Sequence, residues 1–83
     1  MTEVKERIGR FILANYLPGE SLENLHEEAQ LRSTGVLDSL ATLGLITFVE
    51  QEYGIELDAQ DLAVERFDSI NDIAGLISRK QAR

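Results

Sequence analysis

Two short stretches of this sequence pair an aspartate with a serine, at residues 38–40 (Asp-Ser-Leu) and at residues 68–70 (Asp-Ser-Ile). A serine hydroxyl can act as a nucleophile, but it then needs a nearby base to take its proton. The one histidine, His26, lies in a polar segment and is expected to face solvent, and the chain has no cysteine. These residues form no credible catalytic triad and leave no thiolate for a metal site. We therefore do not expect an enzyme.

Both serines stand where an amphipathic helix is expected to begin, so each has a structural explanation. A serine or aspartate before a helix can accept hydrogen bonds from the first backbone N–H groups as an N-cap. Ser69 has Asp72 three residues later, which approximates a capping box and is sufficient to explain Ser69. Ser39 has only Thr42 at the matching place. Asp38 can then be the cap, which leaves Ser39 free in the first turn.

The first half of the chain is predicted to hold one helix and one long connection. Apolar residues at helical spacing predict a helix over roughly residues 3 to 16, with Thr2 as its N-cap. Residues 17 to 37 form a polar connection in which we expect Leu31 and Leu37 to be buried. A loop of about 20 residues is unusual in a small domain and is commonly functional.

Two further long helices are predicted in the second half of the chain. One runs from Ser39 to about Tyr53, and Gly54 is expected to end it. The other begins at Ser69 or Ile70. Its end carries basic residues, which suit the negative end of the helix dipole: Arg79, Lys80 and Arg83.

A short helix is expected between them, near residues 59 to 65. No alternating strand pattern of any length occurs, so the sequence predicts an all-α fold. The expected architecture is a four-helix bundle with three long helices, one short helix and a long first loop. We expect a single domain over residues 1 to 83, with one small core and little room for an enclosed active site.

Charge is distributed unevenly along the chain. The net charge is −7, and residues 11 to 65 hold eleven acidic residues against Arg32 alone. Such a field repels nucleic acids and anionic lipids and favours basic protein surfaces, although the acids are equally consistent with an ordinary solvated surface. The sequence has no secretion signal and no run of about 20 apolar residues for a membrane span. We therefore expect a soluble, cytoplasmic protein without nucleic-acid partners.

The predicted second helix has one face of particular interest. A helical projection turns Ala41, Leu45, Ile46, Phe48, Val49 and Tyr53 toward the core. Leu40 falls on the opposite side with Gly44 and Thr47, and Leu43 lies at the edge of that side. A serine beside an exposed leucine at a helix N-terminus suits docking and an attached phosphate. Two alternatives stay open: that Leu40 closes the end of the bundle, and that Leu43 is an ordinary core residue.

From residue 38 to residue 54 the sequence DSLATLGLITFVEQEYG resembles, without a gap, the second helix of acyl carrier and peptidyl (aminoacyl) carrier proteins. The likeness extends over nearly the whole chain and includes the long first loop with its anchoring Leu31. That family is a four-helix bundle of acyl-carrier type whose Asp-Ser-Leu serine carries 4'-phosphopantetheine. The resemblance implies that Ser39 carries this group and that Asp38 and Leu40 flank it.

Three positions depart from the commonest carrier pattern. Gly35 lies four residues before the serine and gives GVLDSL, a form similar to stand-alone aminoacyl and D-alanyl-type carriers. Ala41 and Gly44 stand where fatty-acid carriers often have acidic residues. The resemblance therefore favours a stand-alone carrier with an apolar docking surface. We predict that surface to consist of Leu40, Leu43, Gly44 and Thr47.

The resemblance also implies the partners. A phosphopantetheinyl transferase would load Ser39 from coenzyme A, and the thiol of the arm would hold acyl or aminoacyl groups as thioesters. A loading ligase and a downstream transferase or synthase would then dock in turn on a monomeric carrier. The alternative is an unmodified helical adaptor with a carrier-like fold that binds protein partners.

Overall fold

The computed structural model describes residues 2–82, which form three α-helices and two 3₁₀ turns. The helices are α1 (Glu3–Tyr16), α2 (Ser39–Tyr53) and α3 (Ile70–Gln81), and the 3₁₀ turns are Leu22–Asn24 and Val64–Arg66. Residues 2–82 contain no strand, which confirms the predicted all-α fold with three long helices and a long first loop. Met1 and Arg83, which belong to the predicted domain, lie outside the described residues. Arg83 was also part of the predicted basic end of the last helix.

Local side-chain chemistry accounts for the helix ends. The Thr2 hydroxyl accepts a hydrogen bond from the Lys5 backbone N–H at 3.4 Å and caps α1. Gly54 ends α2 in the left-handed conformation, with φ 63°, where a glycine avoids the penalty that a Cβ would bring. At the start of α3, Ser69 and Asp72 form a complete capping box. The predicted bounds of α1 and α2 and the predicted start of α3 are therefore confirmed.

The core lies between the three helices. Its fully buried side chains are Ile8, Ile12, Leu45, Val49, Phe67, Ile70, Ile73, Leu76 and Ile77. The long first loop adds Leu31 and Leu37, which are only 2% and 3% exposed, as predicted. Because Leu37 immediately precedes Asp38, this burial holds the loop down just before α2 begins. No helix in residues 2–82 has the length and apolarity that a bilayer span requires.

The fourth, short helix takes a different form from the expected one. The short helix expected near residues 59 to 65 is approximated by the 3₁₀ turn Val64–Arg66, which follows a turn at residues 59–62. Just before it, Asp58 and Asp61 each accept a hydrogen bond from the other's backbone N–H at 3.0 Å. The Asp61 carboxylate also accepts from Lys80 of α3 at 2.7 Å. These contacts close a turn that is tied to α3 and lies just before the 3₁₀ turn.

Candidate functional site

Ser39 is the first residue of α2, and its side chain is exposed. Asp38 is the N-cap: its backbone is extended, and its Oδ1 accepts a hydrogen bond from the Ala41 backbone N–H at 2.8 Å. This confirms the prediction that Asp38 rather than Ser39 caps the helix. The Ser39 hydroxyl is therefore exposed to solvent and is not the N-cap of α2.

The backbone around Ser39 favours a negative charge. Asp38 satisfies the Ala41 N–H with its side chain, and its carbonyl accepts from the Thr42 N–H at 2.9 Å. The N–H groups of the first helical residues, Ser39 and Leu40, have no partner within a helix. Together with the positive end of the helix dipole, they suit an anionic group such as a phosphate attached to the neighbouring hydroxyl.

The second serine is placed quite differently. Ser69 is 7% exposed, and its Oγ accepts a hydrogen bond from the Asp72 backbone N–H at 3.1 Å. In return, Asp72 Oδ2 accepts from the Ser69 backbone N–H, also at 3.1 Å. The predicted capping role of Ser69 is confirmed. Burial and capping together give this serine a structural role.

The two aspartates also differ, and this the sequence did not predict. Asp68 is buried, and its carboxylate accepts hydrogen bonds from the backbone N–H groups of Leu31, Arg32 and Ser33, at 2.9, 2.6 and 3.1 Å. It also accepts from the Ser33 hydroxyl at 2.7 Å. Burial alone would raise the pKa of Asp68, but these hydrogen bonds outweigh it and hold the pKa below its ordinary value. The second Asp-Ser pair thus anchors the first loop.

A groove with a volume of about 610 Å³ lies beside Ser39, between the end of the first loop, α2 and the second 3₁₀ turn. Its apolar walls are formed by Leu37, Leu43, Ile46 and Val64. Among the described residues, the charged side chains that line it are Arg32 and Asp38. Because Asp38 is engaged as the helix cap, the groove supplies Ser39 with no evident general base.

The leucines near Ser39 are strongly exposed. Leu40 is 79% exposed and Leu43 is 59% exposed. The alternatives that Leu40 closes the bundle and that Leu43 belongs to the core are therefore both wrong, whereas Val49 is fully buried as expected. Leu43 turns outward because it lies on the same side of α2 as Ser39, away from the helix face that meets α1 and α3.

Thr47 lies further along the same side of α2, whereas Gly44 lies where that side borders α1. Thr47 is exposed, and its hydroxyl donates a hydrogen bond to the Leu43 carbonyl at 3.0 Å. Gly44 is half-buried, because the hydroxyl of Tyr16 from α1 occupies the space where a Cβ would stand. The sequence contained no signal for this close approach, which depends on how α1 crosses α2.

Across residues 2–82, no cluster of three or more histidine, cysteine, aspartate or glutamate side chains could hold a metal ion. His26 is exposed in the first loop, as predicted, and does not line the groove beside Ser39.

One family model that matches this chain points to a known type of domain. A family model described as "Phosphopantetheine attachment site" matches residues 14–77, which span the end of α1, the long first loop, all of α2 and most of α3. No curated protein matches the chain. The matched region covers both Asp-Ser pairs, so the choice between the two serines depends on the geometry described above.

Proposed function

This chain belongs to the family of phosphopantetheine attachment domains, and we propose that Ser39 is its attachment residue. The cofactor of the family is 4'-phosphopantetheine, bound covalently, and the protein is a carrier of this group. One observation carries the choice of Ser39. Of the two Asp-Ser pairs, the first presents an exposed serine beside an aspartate cap, and the second buries its serine in a capping box.

The residues around Ser39 fit the group. The hydroxyl stands at the open end of a helix whose free N–H groups and dipole can stabilise the phosphodiester. The neighbouring groove is open and largely apolar, which leaves room for a long, flexible attachment. Asp38 keeps the helix end intact through its own carboxylate, so modification of Ser39 does not remove the cap.

The attachment step uses coenzyme A as its donor. Ser39 Oγ attacks the phosphorus next to the pantetheine of coenzyme A and forms a new P–O bond. The bond from that phosphorus to the nucleotide breaks, and adenosine 3',5'-bisphosphate leaves. The serine proton passes to a base on the transferase, since the groove beside Ser39 supplies none. When attached, the group offers a terminal thiol that holds acyl or aminoacyl cargo as a thioester.

The proposed protein is a stand-alone, monomeric and non-catalytic carrier in the cytoplasm, and its partners act on it in turn. They are a phosphopantetheinyl transferase, a loading ligase and a downstream transferase or synthase. We propose that these enzymes dock on Leu40, Leu43, Gly44 and Thr47. The first turn of α2 has no acidic residue, and its two exposed leucines favour docking by apolar contact.

Intact-mass measurement tests the proposal. The full chain is incubated with coenzyme A and a broad-specificity phosphopantetheinyl transferase. We expect a mass gain of one phosphopantetheinyl group, which Ser39→Ala abolishes and Ser69→Ala retains. An unchanged mass of the wild-type chain would favour the unmodified adaptor. A mass gain lost only in Ser69→Ala would show that Ser69, and not Ser39, is the attachment residue.

A further inference from the structure

We propose that Asp68 is a positioning residue for Ser39, acting through the first loop. This inference rests on the proposed role of Ser39 as the attachment residue. Asp68 lies just before α3, far from Ser39 in the sequence. Its carboxylate accepts hydrogen bonds from the backbone N–H groups of residues 31–33. Those residues determine where the last part of the loop runs before it becomes α2.

The anchor is unusually complete for one side chain. Asp68 Oδ1 accepts three backbone N–H groups in succession, those of residues 31–33, and Oδ2 accepts the Ser33 hydroxyl. The Asp68 carbonyl adds a further hydrogen bond from the Leu31 N–H at 2.8 Å. Since the carboxylate is buried, losing it would leave the Arg32 and Ser33 backbone N–H groups without this partner.

A second contact ties the same part of the loop to the same place. Arg32, the only basic residue between residues 11 and 65, donates from Nη1 to the Leu62 carbonyl at 2.6 Å and to the Phe67 carbonyl at 3.3 Å. Its guanidinium carbon also lies 5.9 Å from the centroid of the Phe67 ring. Two charged side chains thus hold the loop against the segment before α3: Asp68 accepts hydrogen bonds from the loop, and Arg32 of the loop donates hydrogen bonds to that segment.

The anchored residues connect directly to the end of the loop. The Leu37 backbone N–H donates to the Leu31 carbonyl at 2.9 Å, and the Leu37 side chain is buried in the core. Leu37 is followed at once by Asp38, the cap of α2, and then by Ser39. Asp68 therefore supports, through Leu31 and Leu37, the entry of the chain into the helix that presents the hydroxyl.

The consequence is kinetic. A transferase must hold the Ser39 hydroxyl in line with the phosphorus, and small displacements of a reacting group lower the rate strongly. If the loop is released, the folded protein should still contain its three helices, but it should present Ser39 in a less defined orientation. The duplicated Asp-Ser motif then has two duties: the first copy carries the reactive hydroxyl, and the second copy holds it in place.

Transferase kinetics on the full chain test this role. Asp68→Ala is compared with Ser69→Ala, a matched control that removes the α3 cap from the adjacent residue without touching the loop. Circular dichroism first establishes that both variants are folded at the assay temperature. With coenzyme A in excess, we expect kcat/KM for modification of Ser39 to fall roughly tenfold in Asp68→Ala. In Ser69→Ala it should stay within about twofold of the wild-type value.

Amide hydrogen exchange supplies a readout that does not depend on modification. The Leu37 amide should exchange faster in Asp68→Ala but not in Ser69→Ala. If Asp68→Ala does not fold, Asp68→Asn and Ser33→Ala replace it, since each weakens the anchor and leaves the core unchanged. We expect both to modify more slowly than Ser69→Ala.

The outcomes separate this inference from the proposed function. If the wild-type chain gains the group but the anchor variants react as fast as Ser69→Ala, Asp68 has no positioning role and Ser39 remains the attachment residue. Equal slowing of modification in Asp68→Ala and Ser69→Ala would also overturn the inference, because the slowing would then arise from damage to the start of α3 and not from release of the loop. A wild-type chain that gains no group at all would overturn the proposed function itself.

Discussion

Lys80 Nζ lies 2.7 Å from Asp61 Oδ2, and the two side chains are only 10% and 12% exposed. This pair joins the last turns of α3 to the connection that follows α2. The hydrogen bond from the Lys80 ammonium, together with that from the Asp58 backbone N–H, holds the pKa of Asp61 below its ordinary value. The Lys80–Asp61 pair is more buried than the Arg10–Glu6 pair on α1, whose side chains are 66% and 41% exposed.

Removal of Lys80 should therefore destabilise the fold. We expect Lys80→Ala to lower the free energy of unfolding by about 1–3 kcal/mol, because it leaves a buried carboxylate without its partner. Arg10→Ala, the matched control, breaks an exposed pair on a helix surface and should cost less than about 0.5 kcal/mol. Urea unfolding at neutral pH measures both. Equal effects of the two substitutions would contradict the structural role of the Lys80–Asp61 pair.

Acid should weaken the anchor formed by Asp68. The hydrogen bonds to its carboxylate hold the pKa in the folded protein below the value in the unfolded chain. The stabilisation is therefore complete above the unfolded pKa, about 3.9 for an aspartate, and is lost as the pH falls through the lower, folded pKa. We expect the difference in stability between wild type and Asp68→Asn to be large at neutral pH and to shrink toward low pH.

Urea unfolding across this pH range checks the expectation. Ser69→Ala serves as the control, because it removes no ionisable group and its difference from wild type should change little with pH. A wild-type advantage over Asp68→Asn that persists unchanged in acid would show that the charge of Asp68 does not stabilise the fold.

We expect Gly44→Ala to change stability in opposite directions in the wild-type and the Tyr16→Phe backgrounds. An alanine inside an exposed helix normally stabilises it by about 1 kcal/mol relative to glycine. Here the added Cβ would collide with the Tyr16 hydroxyl, so we expect Gly44→Ala to destabilise the wild-type chain. In the Tyr16→Phe background the nearest atom is the ring carbon Cζ at 3.6 Å, an ordinary contact, and Gly44→Ala should stabilise.

A double-mutant cycle on the four chains, followed by thermal unfolding, gives the coupling between these two residues. Tyr16→Phe alone is the reference for the loss of the hydroxyl. If Gly44→Ala has the same sign in both backgrounds, the close approach of Tyr16 to α2 is not what keeps a glycine at this position.

The two Asp-Ser pairs should respond differently to alanine substitution. Asp38 and Ser69 are the caps of α2 and α3, so Asp38→Ala and Ser69→Ala should each lower the free energy of unfolding by about 0.5–2 kcal/mol. Ser39→Ala touches no cap and should change stability by less than about 0.5 kcal/mol. Chemical denaturation of the unmodified chains measures this contrast. A large loss in Ser39→Ala would mean that its hydroxyl has a structural role.

Features that depend on a few neighbouring residues were predictable. The bounds of the long helices and the capping by Asp38 and Ser69 follow from side chains that reach backbone groups within one turn. The exposure of Leu40 followed from the helical period alone. The short helix expected near residues 59 to 65 takes the form of turns, and the sequence did not predict the contact with Lys80 that helps to hold this segment.

The sequence by itself determined an acidic, all-α chain with two serines at helix starts and a long, anchored first loop. Only the tertiary structure decided what the second aspartate does. Each aspartate precedes a serine at a helix start, but the donors that surround Asp68 come from residues 31–33, more than 30 positions away. Contacts over such a separation leave no periodic trace in a single sequence, since they arise from how the loop packs against the start of α3.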